Sequence, residues 1–575
     1  MVGALAVVVC VLVVCGWLGY RGYRARTHLL DVRAQVTALK AQVSDGDTRG
    51  LQPALTSVQH EAGRARALTG DVVWRLASHL PLVGSTFRMS AGLAAVTDDV
   101  ARRALPPLVA SASTLDPHRI RRPDGSVDLA PMARTATPLG TALSALHRET
   151  AAVLALPGTG TMAAVSTART QLLHQLTDLT GTVDSARRAA TVGPAMLGAA
   201  GPRRYFVVLQ NPAEARGTGG LAGSFAVLVA DRGRLHLERT GDDGGLVDSA
   251  TPVVELGPEY QSRWSDFHSD RAYKTANFTA HFPWAAAVWQ KLYERQSGEK
   301  VDGVLAVDPV ALGYLLKITG RVTLSDGFQL NGGNVPTWAL SDEYRMYPSN
   351  DVRKARLTEL TRLAFDRIAH GNGSSAELLK ALGRAAGERR VLTWAARPEE
   401  QAALAGTPLA GEVPATPAPY AGLVVNEDAG TKLSYYLDRS VDYRTTACRL
   451  PDKMRLTRIT VRLTNNVRLG DLTDYVRGSD YRAGVPRGQD RIYLSLMTTK
   501  GAVLRSSTLD GRAFPLGQRQ ELGHPSFSAY LELPVHQQQV LTLDLVEPDP
   551  GGSATVPVQP LVRPMAVTVE NARCH

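Results

Sequence analysis

RRYFVVLQ (203–210), NPAEARGTGGLAG (211–223) and SFAVLVADRGRLHLERTG (224–241) follow one another in mid-chain, and how they are read decides the fold. The first is aromatic and β-branched, which predicts a strand. The third predicts a hairpin, SFAVLVA against RLHLERT, turning at Asp231-Arg232-Gly233. Between them the glycines of 217–223 mark a tight turn or a close approach of two backbones. A dinucleotide site needs a helix to start there, aiming its amides at a pyrophosphate, and a strand follows instead. Farther on, 276–296 has helical spacing and VDGVLAVD (301–308) reads as a buried strand. PVALGYLLKITG (309–320) reads as a helix capped by Asp308, with Pro309 in its first turn and Gly320 as its stop. RVTLSDG (321–327) adds a strand and 350–371 an amphipathic helix. Strands alternating with helices predict an α/β sandwich core over 201–392.

Toward the C-terminus, 393–424 is rich in Pro and Ala and reads as a linker. The alternating runs that follow, among them RLTRITVRLTNN, RIYLSLMTT and QQVLTLDLVEP, predict a β-sandwich over 425–575. Toward the N-terminus, 21–200 has helical periodicity interrupted at Pro81, Pro106, Pro107, Pro123 and Pro157, and reads as a helical stalk. Residues 2–20 carry no charge, span roughly 28 Å as a helix, and end in Trp17 and Tyr20; 1–20 is therefore expected to be a transmembrane anchor, with a cleavable signal peptide as the rival. The fold class expected is multidomain: transmembrane helix, helical stalk, α/β sandwich core and C-terminal β-sandwich.

The chain of 575 residues is 44% hydrophobic and 21% charged, which excludes a disordered chain. Its net charge of +10 is spread as scattered arginines with no basic block, which argues against a nucleic-acid partner and fits surface solvation, an anionic membrane or a glycopolymer. Orientation signals conflict. Arg21, Arg24, Arg26 and Arg33 after the anchor favour a cytoplasmic soluble part. Cys448 and Cys574, an even pair in the C-terminal domain, favour an exported disulfide; two unrelated thiols are the alternative. The localisation expected is single-pass in the cell membrane with the soluble part outside.

No HExxH, G-x-S-x-G, Walker A or CxxC signature is present, and no metal site has ligand spacing: His268, Asp270 and His281 share no definable element. Trp264, Trp284, Trp289 and Trp338 fit core packing better than a groove. Arg216 beside the glycines is the exception, since a Gly loop with an Arg holds phosphate through amides and a guanidinium fork. YFVVLQNPAEARGTGGLAGSFAVLVADRGRL (205–235), TANFTAHFPWAAAVWQKLY (275–293) and VDGVLAVDPVALGYLLKITGRVTL (301–324) together resemble a bacterial domain-of-unknown-function family, the one numbered four thousand and twelve, and WRLASHLPLVGSTFR (74–88) looks familial as well. That resemblance implies an N-terminal anchor and a site outside the membrane, and supplies no reaction.

The order of elements is also similar to the LytR–CpsA–Psr domain, whose members transfer glycopolymers from a polyprenyl-pyrophosphate carrier to the cell wall. The resemblance implies Arg216, Arg353 and Arg356 as ligands of a diphosphate, with Asp351 beside them. Arg353 and Arg356 stand three apart on one helix face. It also implies Mg²⁺, but Leu221-Ala222-Gly223-Ser224 stand where an acidic ligand is expected, leaving Asp242 and Asp243 as substitutes. The function expected is an anchored envelope protein that binds or processes a lipid-linked or wall polysaccharide, as a phosphotransferase if it is an enzyme. The rival is a non-catalytic scaffold or interaction protein for envelope assembly.

Overall fold

The computed structural model describes residues 2–116, 120–122, 124–371, 373–478, 485–549 and 551–570. They form two compact units: 1–200 with 232–234, and 201–231 with 235–575.

The first unit is helical. α1 (Val2–Ser44), α2 (Leu51–Thr69), α3 (Val72–Ala77), α4 (Gly84–Asp99), α5 (Leu105–Thr114), α6 (Leu129–Leu154) and α7 (Ala163–Met196) follow in order. Leu93, Leu139, Leu146, Val153, Leu176 and Val183 fill one core, and Val32, Leu39, Leu51, Leu55 and Val58 a second between α1 and α2. Pro106 and Pro107 do not break the helix. They fall in the first turn of α5, where a missing N–H costs nothing, and a π-helical turn at Val100–Ala104 leads into them.

The anchor expected at 1–20, and the single-pass placement built on it, are corrected: among the described residues no helix is long and apolar enough to cross a membrane. The apolar run is not a separate segment. It continues unbroken into the 43-residue α1, which carries Arg21, Arg24, Arg26, Asp31 and Arg33. From Trp17 onward α1 is tied to its own unit. Trp17 Nε1 donates to Asp71, Leu18 packs with Trp74 and Ala77, and Arg21 donates to the Leu68 and Ala67 carbonyls.

The second unit begins with β1 (Arg203–Arg216), β2 (Gly219–Asp231) and β3 (Arg234–Asp242). The stretch 211–223, whose glycines mark a tight turn or a close approach, is mostly paired strand. β1 runs on through bulges at Leu209/Gln210 and Asn211/Ala215 and turns within two residues into β2, with Arg216 opposite Gly219. Pro212 is tolerated because it sits at the second bulge. Then come α8 (Pro258–Trp264), α9 (Phe282–Ser297), β4 (Gly303–Val307), α10 (Pro309–Thr319), the short pair β5 (Val322–Thr323) and β6 (Gln329–Leu330), α11 (Val335–Thr337), α12 (Glu343–Met346), α13 (Asn350–His370), α14 (Ser375–Gly387), β7 (Val391–Ala395) and α15 (Pro398–Leu404). Asp308 caps α10 by accepting from the Ala311 N–H at 2.8 Å, and Arg390 holds its other oxygen. The sheet order is β3-β2-β1-β4-β7, with β1 and β4 parallel and β7 antiparallel to β4. α9 covers it, burying Trp289 and Leu292 with Phe206, Val227 and Val304. Trp264, Trp289 and Trp338 are all buried in cores.

β8 (Ala421–Glu427), β9 (Leu437–Leu450), β10 (Met454–Asn465), α16 (Asp474–Arg477), β11 (Asp490–Thr498), β12 (Val503–Leu509), β13 (Arg512–Ala513), β14 (Gly517–Glu521), β15 (His524–Leu533), β16 (Gln538–Pro548) and β17 (Met565–Glu570) complete the unit. They make a six-stranded sheet, β13-β12-β16-β10-β9-β17, and a four-stranded one, β14-β15-β11-β8. Inward-facing residues of both, such as Val425, Val461, Leu494, Phe527 and Leu543, share one core. The expected linker at 393–424 is corrected. Its first residues finish β7, α15 follows, and β8 starts before its end. Arg389 donates to the Gly411 and Glu412 carbonyls and pins the stretch between. The Cys448–Cys574 disulfide lies outside the described residues: the Cys448 side chain and all of Cys574 are not described.

Candidate functional site

At the end of β1 the period of two sends Glu214 and Arg216 to the same side, and both are buried. Arg216 donates to Glu214 Oε1 at 2.8 Å, to the Ala215 and Glu427 carbonyls at 2.8 and 3.0 Å, and to the Lys274 carbonyl at 2.9 Å. Its guanidinium lies over the Phe278 ring, 5.1 Å from the centroid. Lys432, which directly precedes a 3-10 turn, pairs with the other oxygen of Glu214. Burial alone would push the Glu214 carboxyl up, but Lys432 and Arg216 outweigh it and hold it below the ordinary glutamate value.

The network continues through aromatic faces. Lys432 Nζ lies 5.5 Å from the Tyr475 ring centroid, and the Arg353 guanidinium 4.0 Å from the same centroid. Tyr475 stacks on Tyr344, whose hydroxyl accepts from Asn211 at 2.8 Å. Arg353 is buried at the start of α13 and donates to the Tyr347 and Pro348 carbonyls at 2.7 and 2.9 Å. Glu343, next to Tyr344, is buried with one oxygen that meets no donor, and burial drives its carboxyl up against the pull of Arg353 and Lys432. At the other end Thr431 Oγ1 reaches Glu427 at 3.1 Å and Asp490 at 3.5 Å. Burial pushes both of these acids up.

Arg216 and Arg353 therefore belong to one buried network, linked through Glu214, Lys432 and Tyr475. Arg356 does not. It pairs with Glu359 at 2.7 Å and Asp326 at 3.3 Å and touches Ser325. No guanidinium of the three faces an open recess as a diphosphate fork would require, because each is engaged by acceptors of the chain itself. The glycine loop is spent in the same way. A Cβ on Gly217 would come within 2.4 Å of the Phe278 and Thr279 carbonyls, and one on Gly220 within 2.1 Å of Asn211. Gly217 N–H donates to Asn426 and Gly220 N–H to Gln210, so these amides already have acceptors.

The donor set does not fit Mg²⁺. Asp242 accepts from the Gly244 N–H and meets Lys354, while Asp243 meets Lys354 at 2.8 Å and Lys274 at 3.3 Å. The two ammonium groups hold the Asp243 carboxyl low despite its burial, and they occupy the side on which a cation would sit. Next to this pair opens a recess of about 570 Å³ between the end of β3 and one face of α13, lined by Thr240, Asp242, Asp351, Lys354, Thr358 and Arg362 among others.

Sequence reasoning missed Glu214, Glu343, Glu427, Lys432, Tyr475 and Asp490. Glu214 was within reach, because strand alternation puts it beside Arg216. Lys432 lies 218 residues away from it, and nothing local signals the pairing.

No curated protein matches the chain, and no solved structure matches it. Residues 200–344, from just before β1 into α12, match the family model described as protein of unknown function (DUF4012).

Proposed function

We propose that this chain is a non-catalytic interaction or scaffold protein and not a glycopolymer phosphotransferase. One observation carries the reading: the groups that would grip a diphosphate are consumed inside the fold. Arg216 neutralises Glu214 of β1 and donates to the Glu427 carbonyl of β8, Arg353 stacks on Tyr475 of α16, and Arg356 closes a local cluster. Freeing one of them would leave a buried carboxylate or carbonyl unpaired, at a cost of about 1–3 kcal/mol or more before any ligand was gained. Titration of the full chain with a polyprenyl pyrophosphate, followed by tryptophan fluorescence, tests this. No saturable change is expected. Saturable binding that Arg353→Lys weakens would overturn the reading.

A second reading puts a sugar-bearing polymer in the recess beside α13. Asp242, Asp351 and Glu359 line it with Lys354, Arg362 and two threonine hydroxyls, a mixed set of donors and acceptors that favours a hydroxyl-rich ligand over an apolar or a polyanionic one. Saturable binding of a neutral oligosaccharide, abolished by Arg362→Glu, would select it.

A further inference from the structure

His28 on α1, Asp31 one turn later and Glu61 on α2 bring one imidazole nitrogen and two carboxylate oxygens within 4.8 Å of one another. His28 is buried between the helices, Glu61 is half-buried, and Asp31 is exposed, so the cluster has a closed inner side and an open outer one. His28 Nδ1 and Glu61 Oε2 are hydrogen-bonded at 2.5 Å, while Arg64 reaches the other oxygen of Glu61, at 3.8 Å.

We propose that His28, Asp31 and Glu61 form a site for Zn²⁺ or a similar first-row divalent ion, clamping α1 to α2. The donor set decides the class. An imidazole with two carboxylates suits Zn²⁺, whereas Mg²⁺ and Ca²⁺ take oxygen ligands alone. A tetrahedral ion with bonds of about 2.0–2.2 Å holds its ligands roughly 3.4 Å apart, a spacing that side-chain rotation reaches from the observed cluster. The metal takes the place of the hydrogen between Nδ1 and Oε2: an imidazolium gives that proton to solvent and a neutral ring shifts it to Nε2, so His28 binds as the neutral imidazole, and a water takes the fourth position on the Asp31 side. The charge balances as one dication against two carboxylates.

The test titrates the full chain with chelator-buffered ZnCl2 in excess Mg²⁺, by calorimetry in two buffers of different ionisation enthalpy. One site is expected, with a melting temperature that rises with free Zn²⁺. His28→Gln should abolish that site. Asp31→Asn, at an exposed position that the fold does not need, should weaken it at least about tenfold. His174→Gln, an exposed histidine elsewhere, should change nothing. Two results overturn the proposal: Zn²⁺ binding that His28→Gln and Asp31→Asn leave intact, or no Zn²⁺ binding that survives excess Mg²⁺.

Discussion

In the helical unit Arg103 reaches Asp99, and Arg187 and Arg188 both reach Asp184, all at helical spacing with both partners partly exposed. In the second unit Arg455 meets Glu547, Arg263 meets Glu521 and Arg203 meets Glu400 across 92, 258 and 197 residues, with both partners buried each time. The first kind of pair follows from the backbone that carries it and is worth about 0–1 kcal/mol. The second is made only when distant strands meet, and losing one partner strands a charge where water cannot reach it. The helical unit should therefore tolerate charge changes that the second unit does not.

The largest effect is expected at Glu547. One of its oxygens accepts from Arg455, Tyr443 and Thr457, and the other from Thr499. Glu547→Ala takes this acceptor from Tyr443, Thr457 and Thr499 and leaves the buried Arg455 guanidinium with the Tyr443 hydroxyl and Asp549 at 3.5 Å, and should cost roughly 3–5 kcal/mol or prevent folding. Glu214→Ala, which strands Arg216 and Lys432 together, belongs to the same class. Urea unfolding measures both. A loss under about 1 kcal/mol at either site would break the contrast, since that is the scale of a solvated pair.

A half-buried histidine sharpens the comparison through pH. His281 Nδ1 accepts from the Val413 N–H at 3.1 Å, which only a neutral ring permits. Burial, helped by the Arg389 charge, lowers its pKa to about 4. Between about 4 and the ordinary value near 6.5 the unfolded chain binds the proton and the folded chain does not. Stability from this site is therefore complete above about 6.5 and falls as pH drops toward 4, by about 3 kcal/mol. His281→Gln keeps an acceptor for Val413 and should flatten that slope. An unchanged slope in the variant would assign the acid sensitivity to other groups.

Glu427 and Asp490 work in the opposite direction. Burial raises both carboxyls, so folding favours their protonated forms, and the stability they supply is present in acid and lost as pH rises through the raised values. Asp490→Asn, which keeps an acceptor for Thr431, should gain stability over the native chain as pH increases. Equal melting temperatures of the two chains at pH 5 and pH 9 would rule this out.

What the sequence made legible follows the same division. α13 matches its expected bounds to within a residue, and Asp308 caps α10, because periodicity and caps are local. The hairpin turn is set by Arg232 and Gly233, both at positive φ. Illegible were features decided by remote contact: β-pairing through the bulged NPAEAR stretch, the fixing of 393–424 by Arg389, and the burial of Arg216 and Arg353 in a network closed by Lys432. An arginine in a glycine loop looks the same in sequence whether it faces a phosphate or a buried glutamate. The partner decides, and here the partners come from β8, the turn after it and α16. The apolar run at 2–20 misled for a related reason, since composition does not show that α1 continues unbroken to Ser44.

The smallest effect is expected at Arg188, in the long helix α7. It donates to Asp184 at 2.7 Å, an ideal i, i+4 contact, yet its side chain is about a third exposed and Asp184 keeps Arg187 at 3.0 Å when it is removed. Alanine has the higher helix propensity, which offsets part of the lost pair. Two arginines share one aspartate, so neutralising one also relieves repulsion between them. Asp184 keeps a quarter of its side chain in water and still holds Arg187, so no stranded carboxylate is left behind. Arg188→Ala should therefore change stability by less than about 0.5 kcal/mol, and raising salt should shrink even that. Asp184→Ala removes the shared acceptor from both arginines at once and should cost more than Arg188→Ala, while staying far below Glu547→Ala. If Arg188→Ala instead cost several kcal/mol, the helical unit would depend on its surface charges as the second unit depends on its buried ones, and the difference between them would lie in packing alone.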